Sequence, residues 1–175
     1  MKSVFVLAAL INTAFLAQAS EPTIGVHYSG TLVADPCIIL PGDEEISLEF
    51  GSVIDKYLYL NQRTIGKLFQ INLSECDLSL GNTVKVSFTG VESTALPGLL
   101  AIDGNSTARG VAVGIETLAG EPLPLNKDSG SQMLTPGSNS LSLMAYIQGE
   151  PQAIEEKSIT LGTFSATATF NLEYE

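Results

Sequence analysis

The chain has 175 residues, a formal charge of −11, 15% charged and 45% hydrophobic residues. That length sets an expectation of one domain, and the apolar share is enough to bury a core, which excludes a disordered acidic tail. The negative balance argues against binding nucleic-acid phosphates and against docking on an anionic membrane.

The first element in chain order is a leader. Lys2 gives a short basic start, an apolar run follows from Val4 to Leu10 and resumes at Ala14, and Ala17-Gln18-Ala19 has the small-x-small form of a signal-peptidase site. Asn12 and Thr13 interrupt the run, which is too short for a membrane span. Residues 1–19 read as a signal peptide, so the mature chain begins near Ser20. With those 19 of 175 residues removed, about 156 remain, and the loss of Lys2 takes the charge from −11 to −12. Export gives meaning to the only two cysteines, Cys37 and Cys76: an even count in an oxidising compartment points to a disulfide. Such a bond closes a loop of about 40 residues and is worth at most about 4 kcal/mol in the chain-entropy account. The competing reading is a pair of free or metal-binding thiols, for which no third Cys or nearby His completes a zinc set.

From there the pattern is strand after strand. Ile24, Val26 and Tyr28 alternate with Gly25, His27 and Ser29. The same period of two recurs at Ile46–Phe50, Phe69–Leu73, Val84–Phe88, Val111–Ile115 and Leu141–Ile147. Breakers such as Asp35-Pro36, Pro41-Gly42, Gly81-Asn82, Pro97-Gly98, Asp103-Gly104-Asn105 and Pro136-Gly137 separate the runs. Residues 121–139 should hold the longest loop, and Ser93–Leu96 one short helical turn. Short antiparallel strands at such intervals predict an all-β sandwich.

The last strand stands apart. Phe164, Ala166, Ala168, Phe170, Leu172 and Tyr174 point to one face, and Ser165, Thr167, Thr169, Asn171 and Glu173 to the other. This alternation is longer than an average strand and contains no Pro, no Lys and no charge before Glu173. As a sheet edge it would lack the usual protection against edge-to-edge pairing. As a central strand it would need none. The pattern alone leaves both readings open.

Little in the chain points to catalysis. His27 is the only histidine and adjoins no nucleophile motif. Asp103-Gly104-Asn105 would need Glu at the twelfth position of a calcium loop, where Gly114 stands. Asp43-Glu44-Glu45 and Glu155-Glu156 lie between strand patterns and read as solvated loop charges. No enzyme activity, cofactor, metal or small-molecule substrate is expected.

With Gly162 fourteenth from the end and Tyr174 penultimate, the C-terminal strand resembles that of the pilin subunits of bacterial chaperone–usher pili. The N-terminal half is similar too: an alternating segment leads through Gly30 to Asp35-Pro36-Cys37, and Cys76 closes the strand of Phe69, Ile71 and Leu73. Thr94–Gly98 and Ala166–Phe170 look like segments of minor and adaptor subunits of P-type pili. The resemblance implies an incomplete immunoglobulin-like β-sandwich lacking its last strand, with one disulfide. It implies a surface fimbrium reached through the periplasm, and as partners a periplasmic chaperone, an outer-membrane usher and neighbouring pilin subunits.

On this resemblance, Gly162, Phe164, Ala166, Ala168, Phe170, Leu172 and Tyr174 line a groove, and a chaperone's basic groups grip the carboxylate of Glu175. Residues 20–30 form a donor strand whose Ile24, Val26 and Tyr28 enter a neighbour's groove, with Gly30 at its end, and 31–175 form the pilin domain. The donor segment is short, and the glycine that family donors often carry on the inserting face is not matched by Gly25, which has the opposite parity. Ile24 takes that place in this reading. The rival readings are a self-complete secreted β-sandwich binding protein or hydrolase, and a tip adhesin, for whose separate receptor-binding domain about 156 residues leave no room.

Overall fold

The computed structural model describes residues 27–30, 32 and 34–175. The expected signal peptide, its cleavage site, and Ile24 and Val26 of the expected donor strand lie outside the described residues. Val33–Glu175 form one compact unit.

That unit is a two-layered antiparallel sandwich. Its strands are β1 (Lys67–Cys76), β2 (Thr83–Gly90), β3 (Leu100–Ala101), β4 (Val111–Thr117), β5 (Gln132–Met133), β6 (Gly137–Gly149) and β7 (Ala168–Tyr174). One sheet has the order β1-β6-β4-β3 and the other β5-β2-β7. The longest strand, β6, is paired on both sides. Ile71 lies opposite Leu141 of β6, and Val113 opposite Ile147. Alternate side chains of β1, β2 and β6 meet between the layers: Ile71, Leu73, Val84, Val86, Leu141, Leu143 and Ile147 are buried. Phe69 and Phe88 meet edge to face across the layers with ring centroids 6.1 Å apart.

Cys37 and Cys76 are joined in a disulfide, and both are buried. The adjacent residues Ile38 and Ser74 exchange both main-chain hydrogen bonds at 2.8 Å, so the bond fastens the start of the unit to the end of β1.

Two short helices depart from the predicted pattern. α1 (Asp55–Asn61) buries only Leu58, and α2 (Pro151–Glu155) only Ala153. Neither is long enough to develop an amphipathic period, so neither is visible in the sequence. Pro151 opens α2, where its missing N–H costs nothing. Ser93–Leu96 form a turn, in which Ser93 Oγ accepts the Leu96 N–H at 3.2 Å, rather than a helical turn. The expected long loop at 121–139 contains β5 and the start of β6.

After α1, the Arg63 guanidinium donates to both carboxylate oxygens of buried Glu116 at 2.8 and 3.1 Å, and stacks 4.1 Å from the centre of the Tyr146 ring. The bidentate geometry satisfies a carboxylate that would otherwise be costly to bury.

The expected strand at Ile46–Phe50 is absent as a paired element. Among the described residues, 44–53 have no main-chain to main-chain hydrogen bond; the Glu49 carbonyl accepts only from Lys67 Nζ. The alternation is present, but no neighbouring strand is there to bond it.

Candidate functional site

The C-terminal strand changes partner halfway. Its first part is held by the loop before β4: Asp103 N donates to Ser165 O at 2.7 Å, Thr107 N to Thr163 O at 2.8 Å, and Ser165 N to Ser106 Oγ at 3.1 Å. Gly162 permits this approach. A Cβ there would collide with Thr107 Oγ1 and lie 2.8 Å from Ala108 N. The second part is β7, which pairs with β2 from Ala168 opposite Gly90 to Tyr174 opposite Val84.

Hydrogen-bond parity determines what β7 leaves free. Glu175 and Thr83 exchange both main-chain bonds at 3.1 Å. In an antiparallel ladder such pairs alternate, so Glu173, Asn171 and Thr169 bond to β2 as well. Ala168, Phe170, Leu172 and Tyr174 therefore turn their N–H and C=O groups away from β2. Among the described residues no strand lies on that side, because β7 ends its sheet. The residues whose side chains face the core are thus the ones whose backbones face an empty edge.

Beside that edge is a groove of about 900 Å³. Residues 44–53 form one wall, and 162–168 with Phe170 form the other. Phe69, Phe88, Leu100, Val113, Ile115 and Ala145 form its floor. Phe164, Ala166, Ala168 and Phe170 are all only half-buried, whereas Val84, Val86 and Phe88 on neighbouring β2 are buried. The Phe50 and Phe164 rings narrow the space between the walls, approaching to 6.2 Å between centroids.

Of the expected site residues, Gly162, Phe164, Ala166, Ala168 and Phe170 line the cavity. Leu172 and Tyr174 share the face and pack against the core, but lie beyond the cavity. Burial pushes the Tyr174 phenol above its ordinary pKa, and the Asp35 carboxylate adds to the shift. The Glu175 main-chain oxygen accepts from Asn82 N at 2.9 Å and Thr83 N at 3.1 Å, and its side chain pairs with Lys85. That ion pair holds the Lys85 ammonium above its usual range. Of the expected donor residues, Tyr28 and Gly30 are described, and both are exposed. The opposite wall, with Leu48, Phe50 and Val53, escaped the sequence reading as a site. Its only signal was the Ile46–Phe50 alternation, read there as an ordinary strand.

Among the described residues, no cluster of three or more His, Cys, Asp or Glu could hold a metal ion. What the site offers is an unpaired main-chain edge above an apolar trough, which is the chemistry of strand addition.

The comparisons with known proteins agree with this geometry. The family model described as "Fimbrial protein" matches residues 26–175. The chain is 33% identical over 161 residues to the "Fimbria A protein" of Serratia marcescens, covering 91% of this chain and 90% of that one. It is 30% identical to the "Fimbrial adapter PapK" of Escherichia coli, covering 95% and 96%. Among solved structures, the P pilus rod subunit PapA superimposes with a TM-score of 0.69 at 25% identity, covering 81% of this chain and all of that one. The chain therefore belongs to the fimbrial protein family, as a structural subunit of a chaperone–usher fimbria exported through the periplasm to the cell surface.

Proposed function

We propose that the groove between residues 44–53 and Phe164–Phe170 takes one extended strand from another chain, lent first by a periplasmic chaperone and then replaced by a neighbouring subunit. The observation that carries this reading is the coincidence on β7 of half-buried apolar side chains and unbonded main-chain groups. An inserted strand satisfies both at once, bonding to β7 on one side and meeting the unpaired segment 44–50 on the other. Ala166 and Ala168 leave room for incoming side chains between Phe164 and Phe170.

The donated strand is residues 20–30, freed by removal of the 1–19 leader, and 31–175 form the body that receives a strand in turn. Ile24, Val26 and Tyr28 enter the groove. Gly30 has the same parity and suits the Phe50–Phe164 constriction, where a residue without a side chain lets a backbone pass closely. Burying the three larger side chains contributes about 5–8 kcal/mol before ordering costs. The role is structural, with no catalytic step.

The test is to refold the mature chain alone and again with a donor strand fused after Glu175. The fused chain is expected to be a stable monomer, with the lone chain weakly stable or polymerising. A stable monomer without the fusion would overturn the reading in favour of a self-complete sandwich.

A further inference from the structure

We propose that the end of the sandwich carrying α1 is a second contact between consecutive subunits, and that it seats the disulfide end of the copy that donates its strand. This rests on the strand-exchange reading above and adds a body-to-body contact to it.

The surface itself is unusual. Ile54, Leu60 and Ile65 are 63%, 82% and 80% exposed, and Tyr57 is exposed beside them. Ile54, Tyr57 and Ile65 line a shallow apolar depression of about 370 Å³, and Leu60 is exposed on α1, one turn beyond Tyr57. Large apolar side chains scattered singly need no explanation, but a contiguous group of them marks an interaction site. The depression is continuous with the groove, since Phe50, Ser52 and Val53 line both.

Chain length identifies the occupant. With Gly30 of the donating copy at the Phe50–Phe164 constriction, seven residue steps lead to its Cys37. Fully extended they reach about 25 Å. The donating body must therefore begin close to this end of the acceptor, with its disulfide end leading.

The two ends of one subunit complement each other. β1 starts at Lys67 beside α1 and ends at Cys76 in the disulfide, about 30 Å away by strand rise. At the α1 end, among the described residues, Lys56 and Lys67 are the cations without a carboxylate partner, although Lys67 donates to the Glu49 carbonyl and Asp55 stands next to Lys56 in sequence; Arg63 is engaged by Glu116. At the disulfide end, Asp35, Glu75 and Asp77 stand among exposed Ile38, Leu40 and Leu80. Apolar surface meets apolar surface and cations meet anions in a head-to-tail contact that repeats along a polymer.

The experiment uses subunit dimers formed by the mature chain on release from its chaperone. Strand linkage is read as resistance of the dimer to SDS, and body geometry as the distance distribution from small-angle X-ray scattering. Leu60→Asp with Ile65→Asp alters only exposed positions. It should leave linked-dimer yield within about twofold while the spread of body-to-body distances roughly doubles, since a joined pair without a body contact flexes. Lys56→Glu with Lys67→Glu should broaden the distribution likewise, and Asp35→Lys with Glu75→Lys in the same chain should restore it. Linked dimers whose shape ignores these substitutions overturn the contact and leave strand exchange standing. Absence of any linked dimer from the unaltered chain overturns both. Loss of chaperone capture with dimer shape unchanged assigns the face to the chaperone and also overturns the proposal.

Discussion

β6 and the C-terminal strand carry the same sequence signature and have opposite fates. In β6, Leu141, Leu143, Ala145 and Ile147 alternate with more polar residues and are exposed by 5% or less. In the C-terminal strand, six apolar residues alternate as regularly, and none is buried. Composition does not separate the two. β6 has β1 on one side and β4 on the other, while β7 has β2 on one side and, among the described residues, no strand on the other. Side-chain burial in a sandwich is thus a property of the neighbours a strand has. A strand lacking one neighbour is a core residue set waiting for its last contributor.

Matched substitutions in the two strands should expose this difference. Ile147→Ala, at a position with no exposure, should cost the lone subunit about 2–5 kcal/mol in denaturant unfolding. Phe170→Ala removes more atoms, yet should cost the lone subunit only about 1–2 kcal/mol, because part of the ring already faces solvent. When the donor strand is fused after Glu175, the cost at Phe170 should rise toward that of a core residue, while the cost at Ile147 stays put. Equal costs at Phe170 with and without the fusion would mean the groove face is already complete.

A smaller effect tests the room left in the groove. Ala168→Leu fills space that a donor side chain needs, so overpacking should weaken strand capture by about 1–3 kcal/mol, or roughly 5- to 150-fold in affinity for a synthetic Ile24–Gly30 peptide. The lone subunit's own stability should move by no more than about 0.5 kcal/mol. The corresponding change in β6, Ala145→Leu, should instead damage the lone fold, since Ala145 sits in the groove floor, 5% exposed, on a strand paired on both sides.

The contrast also explains what could be read from the sequence. β1, β2, β4 and β6 were legible because each holds a period-two apolar run, with polar residues between in β1 and β2, small ones in the middle of β4, and a mixed set in β6. The two-cysteine count gave the disulfide. α1 and α2 were not legible, since each buries a single side chain. The C-terminal strand was legible as a strand but not as an edge, because alternation records which face is apolar and says nothing of lateral neighbours. The resemblance to pilins supplied that missing information. The facing wall at Leu48 and Phe50 was misread for the same reason: its alternation predicted a paired strand, and among the described residues no strand bonds it.

The smallest expected effect is at Tyr174, and its sign follows from the empty edge. Burial and the nearby Asp35 carboxylate both disfavour the phenolate, so the folded phenol titrates above its ordinary value. A group whose folded pKa is raised contributes its stability fully below the unfolded pKa and loses it as pH rises through the folded one. Tyr174 should therefore leave stability unchanged at neutral pH and weaken the fold only in the alkaline range, from about pH 10 upward. A strand laid along β7 removes more water from the same phenol, which moves its titration further upward. Ultraviolet titration of the tyrosines, with Tyr174→Phe to identify the signal, should show that phenol ionising later in the fused chain than in the lone one. A Tyr174 titration indifferent to the fusion would place the inserted strand short of the end of β7, and restrict the joint to the stretch between Phe164 and Phe170.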